Sequence, residues 1–231
     1  MEFIYAATLK KRFSCYGHFY SWQPALQAQS IPCRSVLEIA DSTIDPATLS
    51  LHSPDVVVIM MNPGSSHPLD STYIPPTIEF PEKAFDPNKP LVPTQPDNTQ
   101  YQIMRIAVAK NWHHIRILNL SDLRDPKSVS FLRRVDAFNE IIGGATHSIF
   151  SEERNKERIH ALTRASSAPI LLGWGQDPGL IPLAQRCIKK LEGELFYTVP
   201  SEKHPLLNAH PSPMMQTKKE LWLKQILGAL K

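Results

Sequence analysis

Apolar residues in this chain gather into four short runs, at positions 55–61, 115–120, 168–174 and 194–199. Runs rich in Val, Ile and Leu without clean alternation are the pattern of strands buried on both faces, as in a parallel sheet. Between the runs, apolar residues recur every three or four positions. That period predicts helices over 98–110, 129–142, 151–165, 178–191 and 216–230. Ser151 supplies an N-cap for the third of these. Arg154 stands where the full capping box wants Glu or Gln. Strands alternating with helices predict a three-layer α/β/α domain around a central, mostly parallel four-stranded sheet.

Two stretches fall outside this pattern. Residues 1–54 read as an N-terminal extension whose basic-aromatic segment, Lys10 to Trp22, suits a hairpin, a helix or an arm. Residues 65–97 form a proline-rich insertion with little periodicity. Loops of that length in compact domains are mostly functional or mobile, and this one is expected to cover one side of a site. The 231 residues thus make one domain with an extension and an insertion.

Composition narrows the functional classes. A hydrophobic share of 42% is that of an ordinary globule, and no stretch approaches the roughly 18 apolar residues of a membrane span. At the N-terminus the basic residues Lys10, Lys11 and Arg12 follow the apolar ones, the reverse of a secretory signal. Three scattered cysteines, Cys15, Cys33 and Cys187, fit neither a disulfide framework nor a metal site. A reducing, cytoplasmic setting is expected. His113-His114 has no third ligand at a recognisable spacing, so no metal and no cofactor is expected. A net charge of +3 permits a polyanionic partner without demanding one.

The candidate chemistry lies at strand ends. In open parallel sheets, ligands bind beyond the carboxyl ends of the strands. Asn62 follows the first run, Asn119 closes the second, Gly173-Trp174-Gly175 ends the third, and His210 follows the fourth. Asn62 and His210 each stand beside prolines that stiffen the backbone, in Met61-Asn62-Pro63-Gly64 and His210-Pro211-Ser212-Pro213-Met214-Met215.

Those motifs resemble the uracil-DNA glycosylase superfamily. Met61-Asn62-Pro63-Gly64 is similar to the first motif of its mismatch-specific thymine/uracil and single-strand-selective branches. Ile117-Leu118-Asn119 resembles the strand whose final Asn reads the base. Leu171-Leu172-Gly173-Trp174-Gly175 resembles a third family strand with an extra glycine, and the run from Ala209 to Met214 is close to the second family motif. The likeness spans about residues 55–230. The segment from Asp97-Asn98-Thr99 to Asp125-Pro126 also resembles an uncharacterised bacterial family with an Asn-Pro-Ser motif.

The resemblance implies a monofunctional DNA glycosylase, acting as a monomer, that flips a pyrimidine and hydrolyses its N-glycosidic bond. Asn119 would read the base, in a pocket bounded by Met61 and Gly64, with Tyr73 or Phe80 stacking on it. His210 would donate a hydrogen bond to the pyrimidine O2 as negative charge grows there. Asn62 would orient the attacking water, since an amide is no base at neutral pH. Pro211, Ser212 and Pro213 would pinch the DNA backbone, Met214 would fill the gap left by the flipped nucleotide, and Ser65, Ser66 and Ser121 would touch phosphates. Gly64 stands where strict uracil enzymes carry a Tyr, which implies a pocket open to mismatched thymine or C5-modified pyrimidines as well as uracil. A role in repair or in defence against modified foreign DNA would follow. Two alternatives stay open: a hydrolase of modified nucleosides or nucleotides, and a catalytically silent nucleic-acid-binding module.

Overall fold

The structure, a computed structural model, describes residues 3–23, 30–78 and 90–230. In chain order the elements are α1 (Ala6–Arg12), β1 (Phe13–Trp22), β2 (Ile31–Asp41), β3 (Val56–Met60), β4 (His67–Pro68), β5 (Thr77–Ile78), β6 (Val92–Gln95), α2 (Asn98–Lys110), β7 (His114–Asn119), α3 (Ser128–Ile142), α4 (Asn155–Leu162), β8 (Ile170–Gly173), α5 (Ile181–Lys190), β9 (Phe196–Thr198) and α6 (Gln216–Ala229). The chain is α/β, and the four apolar runs form β3, β7, β8 and β9.

These four strands are parallel neighbours in the order β7-β3-β8-β9. All five residues of β3 are buried, and they divide by alternation. Val56, Val58 and Met60 pack with α1, α2 and α6, while Val57 and Ile59 pack with α3, α4 and α5. Burial on both faces is what removes polar alternation from such a strand. The chain runs from β3 to β7 on one side and later places β8 on the other. The carboxyl end of β3 is therefore a topological switch point, where a crevice forms.

The expected four-stranded, mostly parallel sheet is only half of what forms. Among the described residues the sheet has nine strands and is mixed. β2 pairs antiparallel with β7 through Leu37↔Ile117 and Ile39↔Ile115, and β1 pairs antiparallel with β2 over its full length. The segment from Lys10 to Trp22 is thus the end of α1 followed by a strand. Residues of the proline-rich insertion add β4, β5 and β6 beyond it.

Helix 98–110 begins with a complete capping box. Asp97 accepts from the backbone N–H groups of Thr99 and Gln100, and the Gln100 side chain accepts from Asp97 N–H. The helix expected from Ser151 starts instead at Asn155. Arg154 explains the difference. Its guanidinium is fully buried, 2.7 Å from both Asp122 and Glu157, which ties the start of α4 to the loop after β7.

Candidate functional site

A cleft of about 410 Å³ opens at the carboxyl end of β3. Asn62 and Gly64 come from the loop after β3, Asp97 from the N-terminus of α2, Asp125 from the loop after β7, and His210, Ser212, Pro213 and Met214 from the loop before α6. Asn62 and His210, far apart in the sequence, line the same cleft, as do Met61 and Ser65.

Asn62 is held by its amide nitrogen. Nδ2–H donates to the carbonyl of Asp125 at 2.7 Å and of Leu123 at 3.4 Å. Both acceptors are carbonyls, so the amide orientation is fixed and Oδ1 is the atom left to act as an acceptor. Pro63 is buried beneath this turn. Gly64 follows at φ +62, the left-handed region that disfavours a side chain, and a Cβ there would lie 3.2 Å from Asp97 Oδ2. Backbone geometry thus requires this glycine independently of what the pocket admits.

His210 is half-buried, and its Nδ1 accepts from Ser212 N–H at 3.1 Å. Burial pushes its pKa below the usual histidine value, outweighing the attraction of Asp97. The ring is therefore neutral at pH 7, with its proton on Nε2. That leaves a fixed N–H donor.

The loop carrying His210 is anchored to the sheet at two points. Asn208, buried and outside the candidate residues read from sequence, accepts through Oδ1 from Trp174 N–H at 2.8 Å and Gly175 N–H at 3.3 Å. Pro211 packs on Gly173 so closely that a Cβ on residue 173 would sit 2.8 Å from its Cγ. Gly173, with no side chain, thus permits the close approach. Trp222 of α6 donates to the carbonyl of Ala209 at 3.1 Å, closing the other side.

Other candidates lie elsewhere. Asn119 ends β7 opposite Met60 but is fully buried and does not line the cleft. Among the described residues neither its Nδ2 nor its Oδ1 has a partner. Ser66 and Ser121 are buried and engaged within the protein, Ser66 with the carbonyl of Gln95 and Ser121 with His147 and Leu123 N–H. Neither reaches the surface as a phosphate contact. Tyr73 sits in a turn and is not among the described residues that line the cleft. Phe80 lies outside the described residues. Met214, by contrast, is 99% exposed at the mouth.

Of the basic residues, Lys219 of α6 lines the cleft, while Arg12 is paired with Asp41 at 2.8 Å. His114 and Arg116 share the buried carboxylate of Glu38, and His113 lies 3.5 Å from Asp41. Among the described residues no cluster of three potential metal ligands occurs, and no helix is long and apolar enough to cross a membrane. The three cysteines are buried and unpaired, with Cys15 pushed up to about 12 by burial.

Sequence reasoning missed Asp97 as a site residue. The capping signal around it was readable, but its place in the cleft depends on how the insertion returns the chain to the sheet. Comparison of the chain with protein-family models, with curated proteins and with solved structures finds no match in any of the three.

Proposed function

We propose that this protein is a monofunctional DNA glycosylase that flips a pyrimidine into the cleft and hydrolyses its N-glycosidic bond. The observation that carries this reading is the meeting of Asn62 and His210 in one cleft at the switch point of the sheet, each held by backbone contacts. His210 Nε2–H is a neutral donor for the oxygen on which the departing base accumulates charge. Asn62 Oδ1 is an acceptor for the attacking water. Met214, almost wholly exposed beside Ser212 and Pro213, suits a wedge that replaces the flipped nucleotide. No lysine stands in either motif, so base release is expected without strand cleavage.

Substrates in this reading are uracil, mismatched thymine or a C5-modified pyrimidine. Asn119 enters the reaction only if the flipped base opens a path to its buried amide, whose unbonded donor and acceptor suit a Watson–Crick edge. The test is alkali-revealed abasic sites in an oligonucleotide panel carrying each base, with Asn62→Ala and His210→Ala alongside. Activity untouched by both substitutions sinks the assignment.

The size of the cleft favours one further reading. A volume of about 410 Å³ suits a single nucleoside, which supports hydrolysis of modified nucleosides without a duplex. Base release from free nucleosides but not from oligonucleotides would select it.

A further inference from the structure

Two carboxylates line the cleft, and they are in different states. Asp125 is fully used: Oδ1 accepts from Lys127 N–H at 2.9 Å and Ser130 Oγ–H at 2.7 Å, and Oδ2 faces Arg134 Nε at 3.0 Å. Asp97 is only half used. Its Oδ1 accepts from Thr99 N–H at 2.8 Å and Gln100 N–H at 3.2 Å. Its Oδ2 makes no hydrogen bond among the described residues and faces Gly64, two positions from Asn62 in the same loop. The capping bonds fix the carboxylate while leaving one oxygen toward the cleft.

Asn62 has the complementary deficit. It offers an acceptor and no basicity, whereas hydrolysis must remove a proton from the attacking water at some stage. We propose that Asp97 is the general base of this site, holding the attacking water together with Asn62 Oδ1. The water's two hydrogens point at the two acceptors, which leaves an oxygen lone pair toward the sugar. The bond between C1′ and the base nitrogen breaks, and the base departs with the electron pair, its charge met by His210 Nε2–H. The water oxygen bonds to C1′, one proton passes to Asp97 Oδ2, and the other stays on the new hydroxyl. The proton on Asp97 then passes to solvent or to the released base.

Charged and titratable groups from several elements surround Asp97. His210 and Lys219 stand in the cleft with it, as does Asp125, whose charge is already matched by Arg134. Behind it lie Cys15 and the fully buried Arg34, and Asp97 is the opposite charge that acts most strongly on Arg34. Gly64 gains a second reason to be glycine, because a side chain there would press on Oδ2.

This inference rests on the glycosylase reading, and its test separates the two. Single-turnover base release is followed against pH for the native protein, Asp97→Asn and Asp97→Ser, on whichever oligonucleotide the native protein cleaves fastest. Asn and Ser are both good N-caps, so α2 and the melting temperature should be preserved. The expected result is a loss of about 10²- to 10⁴-fold in both variants. The acid limb of the native profile should also be absent from Asp97→Asn. Rates within threefold of native, or a lowered rate that keeps the acid limb, overturn the role of Asp97 and leave the glycosylase reading standing. A native protein silent on every oligonucleotide overturns both.

Discussion

Ser212 N–H donates to His210 Nδ1 at 3.1 Å, so the residue two places along the loop decides which ring nitrogen of His210 carries the proton. The imidazole, which lines the cleft, thus carries its proton on Nε2, and burial keeps the ring neutral. A neutral donor stabilises a developing anion without first capturing a proton from solvent.

Base release should therefore show no rise as pH falls through the ordinary histidine range, about 6 to 7. A required imidazolium would give a rate that drops as pH rises through that range. Replacing His210 by Ala should lower the single-turnover rate by about 10²- to 10³-fold, the usual cost of one oxyanion donor. His210→Gln, which keeps an N–H donor, should recover part of it. A rate that collapses above pH 7 in the native protein would contradict the neutral ring.

The second prediction concerns the anchor behind that loop. Asn208 Oδ1 takes two backbone N–H groups at the end of β8 in a buried setting. Asn208→Ala leaves both donors unsatisfied, at about 1–3 kcal/mol. Urea unfolding should show that loss, and base release should fall with it because the His210 loop is no longer tied to the sheet. Asn208→Asp keeps the acceptor and should retain more stability than the alanine.

Which parts were legible in the sequence follows from how each residue is satisfied. β3, β7 and β8 were readable because their apolar runs are buried on both faces. α2 was readable because its periodicity survives beside a capping box. β2 was hidden by Arg34, Glu38 and Asp41, which look like surface residues until Glu38 is seen holding His114 and Arg116 in the sheet interior. A buried charge such as Glu38, paired across the sheet, interrupts the apolar run that would otherwise mark the strand. Asn62 and His210 stood out because prolines mark their loops. Asp97 did not, since only the fold brings the end of the insertion back beside Gly64.

A third prediction uses Gly173. A methyl group there would lie 2.8 Å from Pro211 Cγ, and a proline ring yields little. Gly173→Ala should destabilise the protein by about 1–3 kcal/mol, as overpacking does. It should also displace His210, reducing activity more than Asn208→Asp does. Equal melting temperatures and rates for Gly173→Ala and the native protein would show that the loop does not depend on this contact.

The last prediction is acid sensitivity centred on His147. This ring is buried, with Nδ1 against Ser121 Oγ at 2.8 Å, and burial, with Arg186 and Arg154 adding to it, lowers its pKa from 6.5 to about 3. In the unfolded chain the ring takes up a proton near pH 6.5, whereas in the folded protein it resists until about 3. Between those values the unfolded state binds more protons, so stability falls as pH falls. The contribution is complete above about 6.5 and is lost progressively toward 3. His147→Gln removes the titrating group and should flatten the slope of stability against pH between 6.5 and 4.5, before most carboxylates take up protons. The variant will be less stable than the native protein at pH 7 if the bond to Ser121 is weakened, but the gap should narrow as pH drops. Urea midpoints at half-unit steps of pH measure this directly. Parallel slopes for the two proteins would mean that His147 titrates alike in the folded and unfolded chains, and that its burial does not hold it neutral.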